Sequence, residues 1–247
     1  MPNNSETGHA VNVANFNDLI SFVTGYGNAY NPSNNLIKLP ALQTLSAEAG
    51  AALAGINAAI PAYNAAVAAR EVLFSPLSKL VTRVMNFLKA SGVSEQVYNQ
   101  VNTVARKVKG TRASAIIKPE PPVDGAEPVP EPKQVSAVQM SYDSRAENFG
   151  KMIQLLAGIA EYNPNEEDLK VTTLDGLMDG LKAKNNAVIA AEVPFSNARI
   201  VRNQVLYTDT TGLCDIALTV KNYVKAIFGS TSPQFKQISK LKFTKIR

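Results

Sequence analysis

The chain has one cysteine, Cys214, one histidine, His9, and no tryptophan. A lone cysteine excludes a disulfide framework and any cysteine-based zinc site. A lone histidine, placed in a polar N-terminal leader, removes the commonest metal ligand and the commonest general base. No segment alternates apolar and polar residues for long enough to build a sheet. No GxGxxG, P-loop or GxSxG pattern occurs, so dinucleotide, nucleotide and hydrolase readings lose their usual signatures. The opening MPNNSETGHAVNVANF has no basic n-region and no apolar run of signal-peptide length, so a cytoplasmic location is expected. These shortages point away from cofactor and metal chemistry, and neither is expected.

What is present is a moderately apolar, weakly basic chain. Of 247 residues, 45% are hydrophobic and 18% charged, with a net charge of +5, which excludes wholesale disorder and a coiled-coil rod. The length suffices for one large or two ordinary domains. Residues 49–69 run without a charge and have the length of a membrane span. Leu53, Ile56, Ile60 and Val67 insert favourably by only about 0.5 kcal/mol each. Asn57 and Asn64 oppose them at about 2 kcal/mol apiece, and Pro61 frees a backbone carbonyl. The sum predicts a buried, alanine-rich helix and no membrane span.

The chain repeats itself. Asn15-Phe16 recurs as Asn148-Phe149, and Tyr30-Asn31-Pro32 as Tyr162-Asn163-Pro164. Leu42 and Leu45 return as Leu174 and Leu177, and Ile56, Pro61 and Asn64 as Ile189, Pro194 and Asn197. Val72-Leu73-Phe74 matches Val205-Leu206-Tyr207, and Asn86 to Ala90 matches Asn222 to Ala226. The offset drifts only from 132 to 137. A duplication explains so many matches in one order. Between the copies, residues 111–133 hold six of the fourteen prolines, a composition that favours extended polyproline and excludes a packed element.

Each copy reads as four helices. Phe16, Leu19, Ile20 and Val23 share one helical face, as do Phe149, Met152, Ile153 and Leu156. Tyr-Asn-Pro stops each first helix. Second helices begin near Pro40 and Thr172, with a break or kink expected at Pro61 and Pro194. Third helices cover about 76–90 and 211–228 and end at Gly92 and Gly229. Fourth helices begin at the N-cap candidates Ser94 and Ser232. Residues 115–118, 135–142 and 240–246 are candidates for short extended pieces. The expected fold is all-α, two tandem homologous up-down bundles of about four helices each. The division is 1–110 with its leader, a proline-rich linker at 111–133, and 134–247.

The run Gln139 to Phe149 (QMSYDSRAENF) and the run Phe228 to Pro233 (FGSTSP) resemble segments of a group of uncharacterised bacterial all-helical proteins built from this tandem unit. The likeness is strongest over residues 134–247. It implies the fold and a bacterial source, and it transfers no catalytic residue.

Polar residues kept in both copies are the natural site candidates. Asn64 and Asn197, three residues after the prolines, suit a ligand site at a kink or an amide bonding the carbonyl that proline frees. Asn86 with Lys89, matched by Asn222 with Lys225, shares a helical face and suits an anion or a solvated helix end. Cys214 fits a packed face, and no carboxylate cluster is duplicated: Glu166-Glu167-Asp168 faces Ser33-Asn34-Asn35 in copy one. Each copy carries +3, gathered at its end: Arg106, Lys107 and Lys109 in one, Lys240, Lys242, Lys245 and Arg247 in the other. Such ends suit a phosphate backbone or anionic surface, but aromatic residues are not interleaved as a stacking platform needs.

The reading is a non-enzymatic helical scaffold or binding module, bivalent through its two copies, with a protein partner or self-association as its mode. Nucleic-acid or anionic-surface binding through the basic ends is the alternative. An enzyme using Asp, Glu, Lys or Tyr is the third, marked by a pocket holding a carboxylate of raised pKa.

Overall fold

The computed structural model describes residues 7–111 and 140–245. Most of the proline-rich segment, the expected extended pieces at 115–118 and 135–139, and Arg247 lie outside the described residues. All regular structure among the described residues is helical: α1 (Thr7–Gly25), α2 (Leu39–Phe74), α3 (Leu77–Ala90), α4 (Glu95–Lys109), α5 (Tyr142–Ala157), α6 (Val171–Tyr207), α7 (Leu213–Phe228) and α8 (Pro233–Ser239). Single 3-10 turns precede α2 and α6 at Asn35–Ile37 and Glu167–Leu169.

The elements follow from local chemistry. Ser94 and Ser232 cap α4 and α8 as expected, each hydroxyl accepting from the N–H three residues on, Val97 at 3.4 Å and Phe235 at 3.1 Å. Gly110 ends α4 with φ +72°, a conformation that favours glycine. In the loop before α7, a Cβ on Gly212 would stand 2.6 Å from the Thr208 carbonyl, so only glycine lets the two backbone segments meet. The tyrosine of each Tyr-Asn-Pro has the same task twice. Tyr30 donates to the Ile37 carbonyl at 2.6 Å, and Tyr162 to the Leu169 carbonyl at 2.8 Å. The Tyr30 ring stands edge-on to Tyr223, and the Tyr162 ring to Phe87, both at 5.4 Å.

The chain forms two compact units that cross the sequence copies. One comprises residues 1–64 with 190–247, the other residues 65–189. In the first, α1 packs on α7 and α8. Phe16, Leu19 and Val23 of α1 share a core with Leu42, Leu206, Leu213, Ile216, Val220, Val224 and Ile238. In the second, α4 packs on α3 and α5. Its core joins Phe74, Val81, Val84, Leu88, Val101 and Val108 to Phe149, Met152, Ile153, Leu156, Leu174 and Leu181. Sequence copy and packing unit are therefore different divisions of the chain. The start of each copy packs with the end of the other.

Several expectations need correction. The leader is helical: α1 begins at Thr7, and His9 and Asn12 lie buried on its core face with Val13 and Phe16. The buried face carries polar residues there, which hides its period from hydropathy. The helix at 49–69 is present but not buried. The stretch Leu39–Ala90 is long and apolar enough by composition to cross a bilayer, yet only 11% of its most apolar 18-residue window is covered. Alanine makes this inexpensive, because a methyl group exposes little apolar area. Of the break or kink expected at the prolines, the break is absent. Both α2 and α6 continue through Pro61 and Pro194. Both prolines, and Asn57 and Ala190 whose carbonyls they free, are exposed, and so are Asn64 and Asn197, so those carbonyls lie on the solvent side of the helices.

Burial also resets the register. Leu42, Ala49, Ile56 and Phe74 are buried, and so are Leu174, Leu181, Val188 and Leu206, each 132 residues later. By that phase Pro61 stands level with Val193, one residue out of step with the match by residue type. Ile189, matched to the buried Ile56, is 56% exposed.

Because each proline interrupts an exposed helical stretch without serving a contact, Pro61→Ala and Pro194→Ala should each stabilise the fold by about 1–3 kcal/mol. Thermal unfolding followed by circular dichroism checks this. A lower melting temperature in either variant would mean the prolines shape the helices they cross.

Candidate functional site

A groove of about 530 Å³ lies between α5 and the first half of α6, in the unit spanning 65–189. Asp143, Glu147 and Lys151 reach it from α5, and Asp175, Lys182 and Asn185 from α6. Ala146, Gly150 and Met178 supply its apolar surface. The spacing explains the placement: 143, 147, 150/151 and 154 share a face of α5, as do 175, 178, 182 and 185/186 on α6. Lys151 pairs with Glu147 at 2.7 Å, which holds the Glu147 carboxyl below the usual range. At the groove's end, Asn185 donates from Nδ2 to Asp143 Oδ1 at 2.8 Å. Asn185 is only 5% exposed, and its Oδ1 is buried without a hydrogen-bond donor.

A second hollow, about 390 Å³, lies over Leu80, Leu174 and Leu177, with the Arg83–Asp168 ion pair at its rim. That pair and the Lys170–Glu167 pair at 2.6 Å account for two members of the Glu166-Glu167-Asp168 cluster. No group of three metal-ligating side chains forms among the described residues.

The residues singled out from sequence do not converge. Asn64 and Asn197 are exposed, as are Asn86, Lys89, Asn222 and Lys225. Lys225 lies 5.9 Å from the Phe235 ring, so it covers an aromatic face. The lysine with structural work nearby is Lys221, whose ammonium donates to the Ser239 and Leu241 carbonyls where α8 ends. Burial pushes its pKa down. Of the basic ends, Arg106, Lys107 and Lys109 crowd the last turn of α4, where a helix C-terminus favours positive charge. Lys240 and Lys242 are exposed. Lys245 is held between Asp209 at 2.9 Å and Asp215 at 3.0 Å, which raises its pKa. Asp215 is pushed down, first by the Thr210 N–H and then by Lys245. That basic end is thus partly neutralised by its own carboxylates.

Other polar side chains tie distant parts of the chain together. His9 Nδ1 lies 2.6 Å from the Tyr207 hydroxyl. Asn12 donates to the Thr244 carbonyl at 2.8 Å and accepts from its N–H at 3.0 Å, and Asn15 donates to the Lys242 carbonyl at 2.7 Å. These amides secure residues 242–244, which carry no regular secondary structure; α8 stops at Ser239, with Lys240 still helical in φ and ψ. In the other unit Arg145 does related work, donating to the Val108 carbonyl at 3.1 Å and to Ser78. Burial pushes the Cys214 thiol up to about 11, chiefly by desolvation. It should therefore resist Ellman's reagent in the native protein at neutral pH and react at once in denaturant. Rapid native labelling would mean that α7 opens easily.

The groove residues escaped sequence reasoning because the search favoured residues shared by both copies, and these differ. A signal existed. Asn185 falls in the phase of Leu174, Leu181 and Val188, a polar residue interrupting a buried stripe. No protein family, no curated protein and no solved structure matches the chain.

Proposed function

We propose that this chain is a non-enzymatic scaffold or binding module, built by duplication of one helical unit, and that the bare apolar face of α2 is its protein-binding surface. One observation carries the reading: in Leu39–Ala90, the one helical stretch among the described residues apolar enough to cross a membrane, only 11% of the qualifying 18-residue window is buried. A contiguous apolar face left in water is a place for a partner to cover, even where small residues keep its area modest. Ala51, Ala54, Gly55, Ala58 and Ala62 form a smooth exposed face at helical spacing. In the same unit Val193, Ile200 and Val201 of α6 remain 49–53% exposed. A smooth alanine face admits a partner helix closely, and protruding branched side chains supply knobs for it. The matched residues and the twin tyrosine geometry support duplication, and two related surfaces suit bivalent attachment.

Sedimentation velocity over a wide concentration range tests the reading. The wild-type chain should self-associate, or bind a partner chain recovered by cross-linking through α2. Ala58→Glu should abolish that association while leaving helicity unchanged, since the site is exposed. A chain that stays monomeric and cross-links to nothing through α2 would end the proposal.

A further inference from the structure

The α5–α6 groove is a separate feature from the α2 face, and its chemistry is specific. Asn185 is a buried side chain with an unmet acceptor, a condition that costs about 1–3 kcal/mol. The fold does not require it. In the burial register that sets Leu42 against Leu174 and Ile56 against Val188, Asn185 corresponds to Leu53, which packs as an ordinary apolar residue on the other unit's core. One long helix solves this position with leucine; the other keeps an amide whose oxygen has no donor.

The neighbours define what is missing. Asp143 accepts one bond from Asn185. Glu147 and Lys151 neutralise one another. Asp143 and Asp175 then outnumber Lys182 among the remaining charges lining the groove. An anion is repelled there, and a hydroxyl leaves the carboxylate unbalanced. A primary ammonium brings three donors and one positive charge to the Asp143 carboxylate, and meets the Asn185 oxygen, closed to solvent as it stands, once that amide turns toward the groove.

We infer that this groove binds a ligand through a primary ammonium group seated between Asp143 and Asn185, with the ligand's apolar part on Ala146, Gly150 and Met178. The ammonium can come from an alkylamine or from the amino terminus of a peptide or amino acid.

Full-length protein labelled with ¹⁵N and titrated with n-butylamine, with leucine amide and with N-acetyl-leucine amide tests this. Saturable shifts are expected at the Asn185 side-chain amide and the Gly150 N–H with one or both amines. The acetylated compound should bind about tenfold more weakly or not at all, since it lacks the charge. Tighter binding of leucine amide would identify an amino terminus, and tighter binding of butylamine an alkylamine. Asp143→Asn and Asn185→Leu should each weaken binding about tenfold, while Asn185→Leu, which copies Leu53, raises the melting temperature. No saturable shift with either amine would overturn the proposal. So would equal binding of the acetylated compound, unchanged binding by Asn185→Leu, or a marked loss of stability in that variant, which would make Asn185 a structural bond.

Discussion

Cut by a protease at a site introduced within residues 112–139, the chain is expected to remain one particle with its helicity intact, and neither half expressed alone is expected to fold. The reason lies in which helices share a core. The amino-terminal half contributes Phe16, Leu19 and Val23 to a cluster whose other walls, Ile216, Val220, Val224 and Ile238, belong to the carboxy-terminal half. It also supplies Val81, Val84, Val101 and Val108 to a cluster completed by Phe149, Met152, Ile153 and Leu156. Alone, it would leave both sets in water. Seven or more such side chains at about 2 kcal/mol each exceed the entire stability of an ordinary domain. Light scattering coupled to gel filtration, with circular dichroism on each fraction, reads the outcome. Two halves separating as folded monomers would restore the division at 110 and 134 that the repeat suggests.

The second large effect concerns single side chains. Phe16 and Phe149 are both fully buried, one in each core. Phe16→Ala and Phe149→Ala should each cost about 3–5 kcal/mol, the transfer of a ring plus the cavity left behind. Asn64→Ala and Asn197→Ala should stay within about 0.5 kcal/mol, as exposed changes do. Urea denaturation at fixed pH measures all four. A loss below about 1 kcal/mol at either phenylalanine would mean that its core repacks freely. A large loss at either asparagine would restore it to the role expected beside proline.

The helices were legible because what makes a helix is local. Backbone bonds close over four residues, so Ser94 and Ser232 announced the starts of α4 and α8 to the residue, whereas Tyr-Asn-Pro falls five residues after α1 and α5 end. Where local signals ran against the pattern, the reading failed. His9 and Asn12 look like leader residues until Tyr207 and Thr244 arrive from the far end of the chain. Proline signals a break only if its freed carbonyl needs a partner, and solvent access decides that. The groove was invisible for a related reason: Asp143 and Asn185 are 42 residues apart and form a site only where α5 meets α6.

What the sequence alone determined is the all-helical class, the caps and the repeated tyrosine turns, all of which depend on neighbours within a few positions. What tertiary structure decided is which apolar faces meet. Burial is non-directional, and any apolar stripe of suitable width can satisfy any other. The recurrence of matched residues makes that ambiguity acute, since α1 and α5 carry nearly the same apolar face. Residue type cannot choose between packing within a copy and packing across copies. The packing itself makes the choice: α1 meets α7 and α8, and α5 meets α4.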